Sequence, residues 1–245
     1  MFSIFKPKKR LQDLITNEYF DIHSHLLPNI DDGCPDFETS LSLINGMKNI
    51  GFSEITTTPH VIKNIWNNTK LDIQNAEQKT ILDLKNSNCE IKFKAAAEYM
   101  MDIDFENLFK TESLLTLKDN LVLVEMSYIN APIQLYQIIF DLQIAGYKPV
   151  LAHPERYSFY ANKTIEYHRL KKAGCLFQLN LLSTVGYYGK DALKTADYLL
   201  KKNLIDFVGS DIHHYNHLNS FQSVIKIKNI DNLKDCISKN NFFRI

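Results

Sequence analysis

Short apolar runs alternate along the chain with longer segments in which apolar residues recur every three or four positions. The short runs are rich in β-branched and aliphatic residues, which is typical of strands. Seven strands are predicted, at residues 19–22, 54–58, 91–96, 121–125, 148–152, 176–179 and 206–209. Because helical patterns lie between them, the alternation predicts an α/β fold with parallel strands.

The longer segments carry the signals of amphipathic helices. Residues 37–50 place Leu41, Ile44 and Met47 on one face, and Gly51 follows where a helix would end. Further helices are predicted at residues 133–145, 165–173, 191–202, 219–228 and 232–239. Seven strand–helix units in a chain of 245 residues favour a barrel over a doubly wound sheet.

Composition narrows the functional classes. The 28 Lys and Arg residues balance the 28 Asp and Glu residues, so the whole chain lacks the basic field of a non-specific nucleic-acid binder. The four cysteines lie far apart in the sequence, so we expect them to be reduced thiols. The N-terminus lacks the features of a signal peptide, and no apolar run approaches the roughly 18 residues of a membrane span. We therefore expect a soluble, cytoplasmic protein that is not an integral membrane protein.

The first strand leads into a possible metal-binding segment. Residues two apart in an extended segment point to the same side, so His23 and His25 can face one ion. Asp31 and Asp32 follow beyond a turn and can return a carboxylate to it. A histidine pair of this kind is also common as ordinary polar residues at a strand end.

Four later strands also end in residues that bind metals. His60 follows the second strand, Glu98 the third, Glu125 the fourth and His153 the fifth. Arg156, three residues beyond His153, carries a guanidinium suited to bidentate phosphate binding. Glu125 directly follows a continuous apolar run, where an unpaired carboxylate would be costly to bury.

The seventh strand ends in Asp211 and His213, again two residues apart. Each of these residues alone could be a solvated side chain, but all of them fall at the C-terminal ends of predicted parallel strands, where α/β barrels build their active sites. A set of His, Asp and Glu without Cys suits Mn, Fe, Zn or Mg. Five imidazoles and four carboxylates exceed one coordination sphere, and clusters of divalent ions promote phosphoester hydrolysis.

The ordered set of motifs resembles the polymerase and histidinol phosphatase (PHP) superfamily, and more narrowly its capsule-associated bacterial protein-tyrosine phosphatases. The resemblance extends from about residue 21 to residue 219. The motifs that carry it are His23-Ser24-His25, Asp31-Asp32-Gly33, Thr58-Pro59-His60, Glu98, Glu125, His153-Pro154-Glu155-Arg156 and Ser210-Asp211-Ile212-His213.

This resemblance implies a distorted seven-stranded (β/α) barrel with three divalent metal ions. The ions are expected to be manganese, with Fe, Zn, Co or Mg as alternatives. By analogy with the family, His23, His25, Glu98 and Asp211 would hold one ion, and Glu98, Glu125 and His153 a second. Asp32, His60 and His213 would hold the third. Asp31 could take the ligand role given to Asp32, and only the resemblance favours Asp32.

The resemblance also implies that Arg156 binds the phosphate. Members of the family commonly carry another arginine shortly after the Asp-x-His motif, whereas this chain has none between His213 and Arg244. His214 or His217 could replace it, or could be solvated loop residues. Which residue supplies a second phosphate contact therefore stays open.

The implied function is removal of phosphate from tyrosines of a partner kinase that controls capsular or exopolysaccharide synthesis. A small-molecule phosphatase such as histidinol-phosphatase would use the same ligands, and a non-catalytic metal-bearing regulatory module is a further alternative. A nucleic-acid enzyme is disfavoured by the neutral charge. No cysteine is followed six residues later by arginine, which argues against a cysteine-dependent phosphatase.

The expected domain begins after residue 16. It leaves an N-terminal extension, residues 1–16, and a PHP phosphoesterase domain, residues 17–245. The extension carries a basic cluster of Lys6, Lys8, Lys9 and Arg10 and is expected to be a flexible, solvated tail.

The segment after His60 is apolar. Ile62, Ile65 and Trp66 could form the rim of a tyrosine-sized cleft or the packing face of a helix.

Overall fold

The computed structural model describes residues 8–15, 18–161 and 163–244, in which parallel strands alternate with helices. The strands in this part of the chain are β1 (Tyr19–Asp21), β2 (Phe52–Thr57), β3 (His60–Val61), β4 (Lys92–Ala95), β5 (Glu98–Met100), β6 (Leu121–Glu125), β7 (Lys148–Ala152), β8 (Leu176–Asn180) and β9 (Phe207–Gly209). The α-helices are α1 (Phe37–Ile50), α2 (Lys70–Asn86), α3 (Ile103–Thr111), α4 (Leu135–Ile144), α5 (Thr164–Lys172), α6 (Gly189–Lys201), α7 (Tyr215–Asn219) and α8 (Ile230–Lys239). The predicted α/β class with parallel strands is confirmed.

Two parallel sheets carry these strands. One has the order β1-β2-β4 and the other the order β3-β5-β6-β7-β8-β9. Successive parallel strands need crossover connections, and most of these are supplied by the helices. Every C-terminal strand end in a sheet therefore lies at the same edge.

The prediction of a closed seven-stranded barrel is not confirmed, because the described strands form no closed sheet. Two short strands were not among the seven predicted: β3, which follows Pro59, and β5, which follows Ala96 and Ala97. Proline has no N–H to donate to a sheet, so the ladder cannot continue unchanged through it. A single parallel bridge between Ser24 and Ile212 links the segment after β1 with the segment after β9.

The helix predictions are confirmed in most places and wrong in one. Helix α1 has the predicted bounds, with Asp36 accepting a hydrogen bond from the N–H of Thr39 as its N-terminal cap. Residues 219–228 are not one helix, because their backbone bonds to other segments: Ile225 N–H donates to Lys9 O and Lys226 N–H to Thr184 O.

Helices α2, α3 and α7 were not predicted. Exposed Leu71 and Leu82 blur the apolar face of α2, although Thr69 and Asp72 form a capping box at its start.

The described part of the N-terminal extension packs against the domain. Leu11 and Leu14 are buried in a short 3₁₀ helix, and Leu11 N–H donates to Ser223 O at 3.0 Å. The expectation of a solvated tail is therefore wrong for residues 11–15. Lys6 and the boundary at residues 16 and 17 lie outside the described residues, so the division of the chain at residue 16 stays a prediction.

The interior between the strands is lined by small and branched side chains. Ile22, Ala96, Leu123 and Ala152 belong to a buried cluster that includes Phe243 near the C-terminus. The buried faces of the helices form the larger, outer core. None of the helices in the described ranges has the length and apolar character needed to cross a membrane. At the C-terminal strand ends this apolar interior gives way to polar residues.

Candidate metal centre

The structure brings together all nine side chains that the sequence analysis selected as metal ligands. Each lies in one or more of four groups whose nitrogen and oxygen atoms are within 4.8 Å of one another. The groups are His25, Asp32, His60 and His213; His23, Glu98 and His153; His23, His25 and Asp211; and His60, Glu98 and Glu125. Parallel strands explain most of the convergence, because eight of the nine lie at, or within four residues after, a C-terminal strand end, with His60 and Glu98 also beginning β3 and β5. Asp32 comes from the loop between β1 and α1.

Glu98 lies at the centre of the cluster. Its Oε2 is 3.2 Å from His23 Nε2, 3.5 Å from His25 Nε2 and 3.3 Å from His60 Nδ1. Its Oε1 is 3.1 Å from His153 Nε2. Glu98 is fully buried, so this carboxylate is positioned to be shared between neighbouring groups of ligands.

The grouping differs in detail from the one implied by the family resemblance. Glu125 and His153, both expected beside Glu98 on one ion, approach it from different sides. Glu125 Oε1 lies 2.8 Å from His60 Nδ1, whereas His153 groups with His23. Glu98 is common to both arrangements.

Asp31 and Asp32 have different surroundings. Asp32 Oδ1 lies 3.5 Å from His60 Nε2 and 3.6 Å from His213 Nε2, and its side chain is 55% exposed. Asp31 Oδ2 instead accepts a 2.7 Å hydrogen bond from His25 Nδ1. Asp32 therefore lies among the candidate ligands, whereas Asp31 hydrogen-bonds to the candidate ligand His25 and holds its ring in place.

Gly33 allows the loop that carries Asp31 and Asp32 to pack against the segment after the first strand. Its N–H donates to Asp31 Oδ1 at 3.0 Å. A β-carbon at this position would lie 2.1 Å from His25 O, far inside van der Waals contact. Glycine is therefore required for the approach that lets Asp31 orient His25.

Gln178 orients His23 in the same way, and it was missed in the sequence analysis. Its Nε2 donates to Leu179 O, so its Oε1 faces His23 and accepts from Nδ1 at 2.7 Å. This contact directs the other nitrogen, Nε2, toward Glu98 and Asp211. No local motif marks Gln178, because its partner lies 155 residues away in the sequence.

Asp211 connects the ligand cluster with the candidate phosphate-binding arginine. Its Oδ1 lies 3.3 Å from His23 Nε2, and its Oδ2 accepts a 2.6 Å hydrogen bond from Arg156 Nη1. Asn180 Nδ2 donates to the same Oδ2 at 2.8 Å. Asn180 is a second buried residue that the sequence analysis did not find.

Arg156 lies against two tyrosine rings. Its guanidinium carbon lies 4.9 Å from the ring centre of Tyr128 and 4.1 Å from that of Tyr188. The side chain remains 19% exposed, so a ligand can reach it. A cleft of about 410 Å³ opens beside it toward Lys190 and the start of α6.

Charges within the cluster divide the imidazoles into two classes. Burial opposes protonation of His23, but the carboxylates of Glu98 and Asp211 outweigh it and raise the pKa of His23 to about 9. Burial and the charge of His25 lower the pKa of His213 to about 3. A proton on His23 offsets carboxylate charge, and a divalent cation bound there would replace that proton.

Several polar atoms in the cluster are buried without a hydrogen bond. They are His60 Nδ1, Glu98 Oε2, Glu125 Oε1 and His153 Nδ1. His60 Nδ1 and Glu125 Oε1 approach within 2.8 Å yet lack hydrogen-bond geometry. Leaving such groups unsatisfied costs about 1–3 kcal/mol each, and more for charged groups. The donor set therefore fits divalent cations, which would satisfy these atoms.

Two candidate ligands have unusual backbone conformations. His153 and Asp211 have φ angles of 35° and 51°, in the left-handed region that favours glycine and, less strongly, asparagine and aspartate. Strain of this kind costs about 1–3 kcal/mol per residue and is concentrated at functional sites. The fold accepts this cost where it turns both side chains into the cluster.

The remaining sequence candidates have different surroundings. His217 is buried and its Nδ1 accepts from His213 N–H at 3.2 Å, so it supports the Asp-x-His segment, whereas His214 is exposed.

The apolar segment after His60 forms no helix: Trp66 pairs with Ile62 in a tight turn. The helix-face interpretation of this segment is wrong, and its role as a cleft rim stays a prediction.

The chain is similar to known proteins over most of its length. A sequence profile described as "Capsular polysaccharide synthesis, CpsB/CapC" matches residues 19–232. The chain is 31% identical over 196 residues to the tyrosine-protein phosphatase YwqE of Bacillus subtilis strain 168, covering 79% of this chain and 77% of YwqE. It is 29% identical over 202 residues to the tyrosine-protein phosphatase CpsB of Streptococcus pneumoniae, covering 79% and 82% of the two chains.

A solved structure is also similar over most of the chain. It comes from work on YwqE of Bacillus subtilis and CpsB of Streptococcus pneumoniae, described as "unique metal-dependent tyrosine phosphatases". It covers 92% of this chain and 88% of its own, with a TM-score of 0.76 and 27% identity.

Proposed function

The chain belongs to the CpsB/CapC family of capsular polysaccharide synthesis, and we propose that it is a metal-dependent protein-tyrosine phosphatase. Glu98 supplies the main structural support. Its Oε2 faces three imidazole nitrogens at 3.2–3.5 Å, is buried and makes no hydrogen bond. Arg156 is accessible from solvent and is linked to the cluster through the carboxylate of Asp211.

We propose that three divalent cations, manganese in the simplest case, occupy this cluster. The ligands would be His23, His25, Asp32, His60, Glu98, Glu125, His153, Asp211 and His213, as predicted from the sequence. Four carboxylates in one cluster need more than one divalent cation for neutrality. When bound, such cations lower the pKa of water and neutralise phosphate oxygens.

The protein's own residues would bind and orient the substrate around these cations. Arg156 would donate to two non-bridging oxygens of the phosphate, while Tyr128 and Tyr188 restrict its plane. Its contact with Asp211 uses only one of its five N–H donors, which leaves others for the substrate. Asp31 and Gln178 would keep the ligating nitrogens of His25 and His23 directed inward.

We propose that the two sheets are the halves of one distorted seven-stranded barrel. The bridge between Ser24 and Ile212 supports this, because it joins the segments that follow the first and last predicted strands. His25 N–H also donates to Ile212 O at 2.9 Å. Such closure would hold the first and last ligand pairs side by side.

The proposed substrate is a phosphotyrosine protein, specifically a bacterial tyrosine kinase of polysaccharide export. The family description supports a role in capsule synthesis, and relatives of about 30% identity carry tyrosine phosphatase names. We also propose a cytoplasmic location. The four buried free thiols of Cys34, Cys89, Cys175 and Cys236 suit a reducing compartment.

Phosphate release from a substrate panel tests this function. Metal-free protein and protein reconstituted with Mn²⁺ would be compared on a phosphotyrosine peptide, a phosphoserine peptide, L-histidinol phosphate and p-nitrophenyl phosphate. We expect Mn²⁺-dependent release from the phosphotyrosine peptide and p-nitrophenyl phosphate.

Other outcomes would indicate the alternatives. L-histidinol phosphate hydrolysed at least tenfold faster than the phosphotyrosine peptide would indicate a small-molecule phosphatase. Metal-loaded protein that releases no phosphate from any substrate would indicate a non-catalytic metal-bearing module. Full activity after verified metal removal would contradict the mechanism.

A further inference from the structure

Exposed apolar side chains are concentrated beside the candidate site. Of the fifteen large apolar side chains exposed within the described ranges, six lie between residues 128 and 144. Five of them, Ile129, Ile133, Tyr136, Phe140 and Ile144, form what we call the α4 stripe. Their exposed fractions are 85%, 101%, 38%, 57% and 73%. Apolar exposure at this density commonly marks an interaction surface.

The core does not require the α4 stripe. Helix α4 packs inward through Leu135, Ile138, Ile139 and Leu142, which are all buried. Tyr136, Phe140 and Ile144 follow one another at intervals of four residues, so they share the opposite face. The helix is apolar on both sides. On its outer side the Tyr136 hydroxyl donates to Glu166 Oε2 at 3.1 Å and its ring lies 5.6 Å from the Arg169 guanidinium, whereas Phe140 and Ile144 are exposed.

The α4 stripe is continuous with the proposed phosphate site through Tyr128. The Tyr128 ring stacks on the Arg156 guanidinium at 4.9 Å and on the His153 ring at 5.7 Å. Ile129 follows Tyr128 directly, and the same loop leads through Ile133 into α4. Tyr128 lines the cleft at Arg156, so the α4 stripe begins one residue along the chain from that cleft.

We propose that the α4 stripe binds apolar residues that flank the phosphotyrosine in the protein substrate. This inference rests on the proposed phosphatase function. A phosphotyrosine with its phosphate at Arg156 brings its neighbours in the chain to Tyr128 and Ile129. Ten residues of α4 span about 15 Å, which four or five residues of an extended peptide can follow.

A second copy of the chain fits this surface less well. A two-fold interface places the same patch of both copies face to face. Centred on the α4 stripe, it would press the two Tyr128 loops together beside Arg156 and restrict entry of a protein substrate. Continuity with the phosphate site favours the substrate as the partner.

Peptide binding provides a test that does not depend on turnover. Two peptides would carry phosphonomethyl-phenylalanine, a non-hydrolysable phosphotyrosine analogue, flanked on both sides by Leu in one and by Ser in the other. Fluorescence anisotropy would measure their Kd on Mn²⁺-loaded wild type and on the double variant Ile133→Asp, Phe140→Asp. The matched control is Leu71→Asp, Leu82→Asp, which changes two exposed apolar residues of α2.

We expect wild type and the α2 control to bind the Leu peptide at least tenfold more tightly than the Ser peptide. The α4 double variant should lose that preference. Its kcat/KM on p-nitrophenyl phosphate, which has no flanking residues, should stay within twofold of wild type. A wild-type preference below twofold, or an unchanged preference in the α4 variant, would overturn the inference.

Oligomeric state and turnover distinguish self-association from substrate docking. Light scattering that shows a wild-type dimer and a monomeric α4 variant would assign the α4 stripe to self-association and overturn substrate docking. Failure of metal-loaded wild type to hydrolyse p-nitrophenyl phosphate would contradict the proposed function. The peptide preference would still report separately on the α4 stripe.

Discussion

At the scale of single residues, Arg156 is the side chain whose chemistry is easiest to separate from metal binding. It contacts the candidate ligand Asp211, and its guanidinium stays protonated and so does not itself bind metal. Two tyrosine rings fix its plane, so its orientation depends on a flat guanidinium. Lysine has neither the plane nor the paired donors.

Arg156→Lys should therefore retain metal but lose turnover. Loss of one such charge-assisted donor commonly lowers the rate about 100- to 1,000-fold. Steady-state kinetics on a phosphotyrosine peptide, with metal content measured on the same sample, checks this. Arg244→Lys, at an exposed arginine that pairs with Glu18 outside the metal cluster, is the matched control. An Arg156→Lys enzyme within about threefold of wild type in both kcat and KM would contradict the phosphate contact.

Asp31 and Asp32 provide a second test at the same scale. Asp32→Asn should remove the metal held by the group of His25, Asp32, His60 and His213, because the Asp32 carboxylate faces His60 and His213 directly. Asp31→Asn should retain the number of bound ions but weaken their affinity about 10- to 100-fold, as is usual for residues that orient a ligating histidine. Elemental analysis and competition with a chelator distinguish the two outcomes. Equal metal loss in both variants would show that the two carboxylates share one role.

At the scale of elements, the end of strand β9 brings the first and last segments of candidate ligands together. Gly209 ends β9, where a β-carbon would lie 2.6 Å from Gln178 Nε2 and 2.7 Å from His23 Cβ. His23 and Gln178 come from the neighbouring chain segments, so only a residue without a side chain admits both. The position of His23 thus depends on a glycine far away in the sequence.

Gly209→Ala should displace Gln178 and His23 and reduce metal binding. Gly146→Ala is a suitable control, because its site is open but its φ is +90° and therefore strained for alanine. We expect both variants to lose about 1–3 kcal/mol of unfolding free energy. Only Gly209→Ala should also lose metal. Normal metal content in Gly209→Ala would rule out this account of the strand end.

The N-terminal 3₁₀ helix, residues Leu11–Leu14, is an element that tests the extent of the domain. Leu11 is fully buried and its backbone bonds to Ser223. Leu11→Ala should lower the free energy of unfolding by about 2–5 kcal/mol, the usual range for a buried leucine. Chemical denaturation measures this, with exposed Lys8→Ala as the control. A change below about 0.5 kcal/mol would indicate that the segment is dispensable.

At the scale of the whole molecule, metal binding and folding should be coupled. The cluster joins side chains from residue 23 to residue 213, so only the folded chain presents all of them together. Ligands that bind the folded state alone stabilise it by mass action, about 2.7 kcal/mol at a concentration of 100 Kd. The metals should therefore contribute to stability as well as to catalysis.

Chelation should lower the Tm. For a chain of this size, about 2.7 kcal/mol corresponds to roughly 5–10 °C for each ion bound. Calorimetry before and after verified metal removal, with Mn²⁺ restored in a parallel sample, checks this. An unchanged Tm after complete metal removal would show that the cluster is stable without cations.

The sequence by itself determined the α/β class, most strand positions and the nine residues that the structure gathers. These features have local signals: apolar runs predict strands, and polar residues at their ends lie on one edge wherever the strands are parallel. The family resemblance then ordered the residues into ligands. Helix α1 and strands β6 and β7 have the predicted bounds for the same reason.

Only the tertiary structure decided which contacts those residues make. Asp31 and Asp32 are neighbours in sequence, yet folding of the loop onto His25 gives them different partners. Gln178 reaches His23 across 155 residues, and a pattern with a period of two or four positions cannot encode such a pair. The α4 stripe was also invisible as a surface, because apolar periodicity shows that a helix has an apolar face but not whether a neighbour covers it.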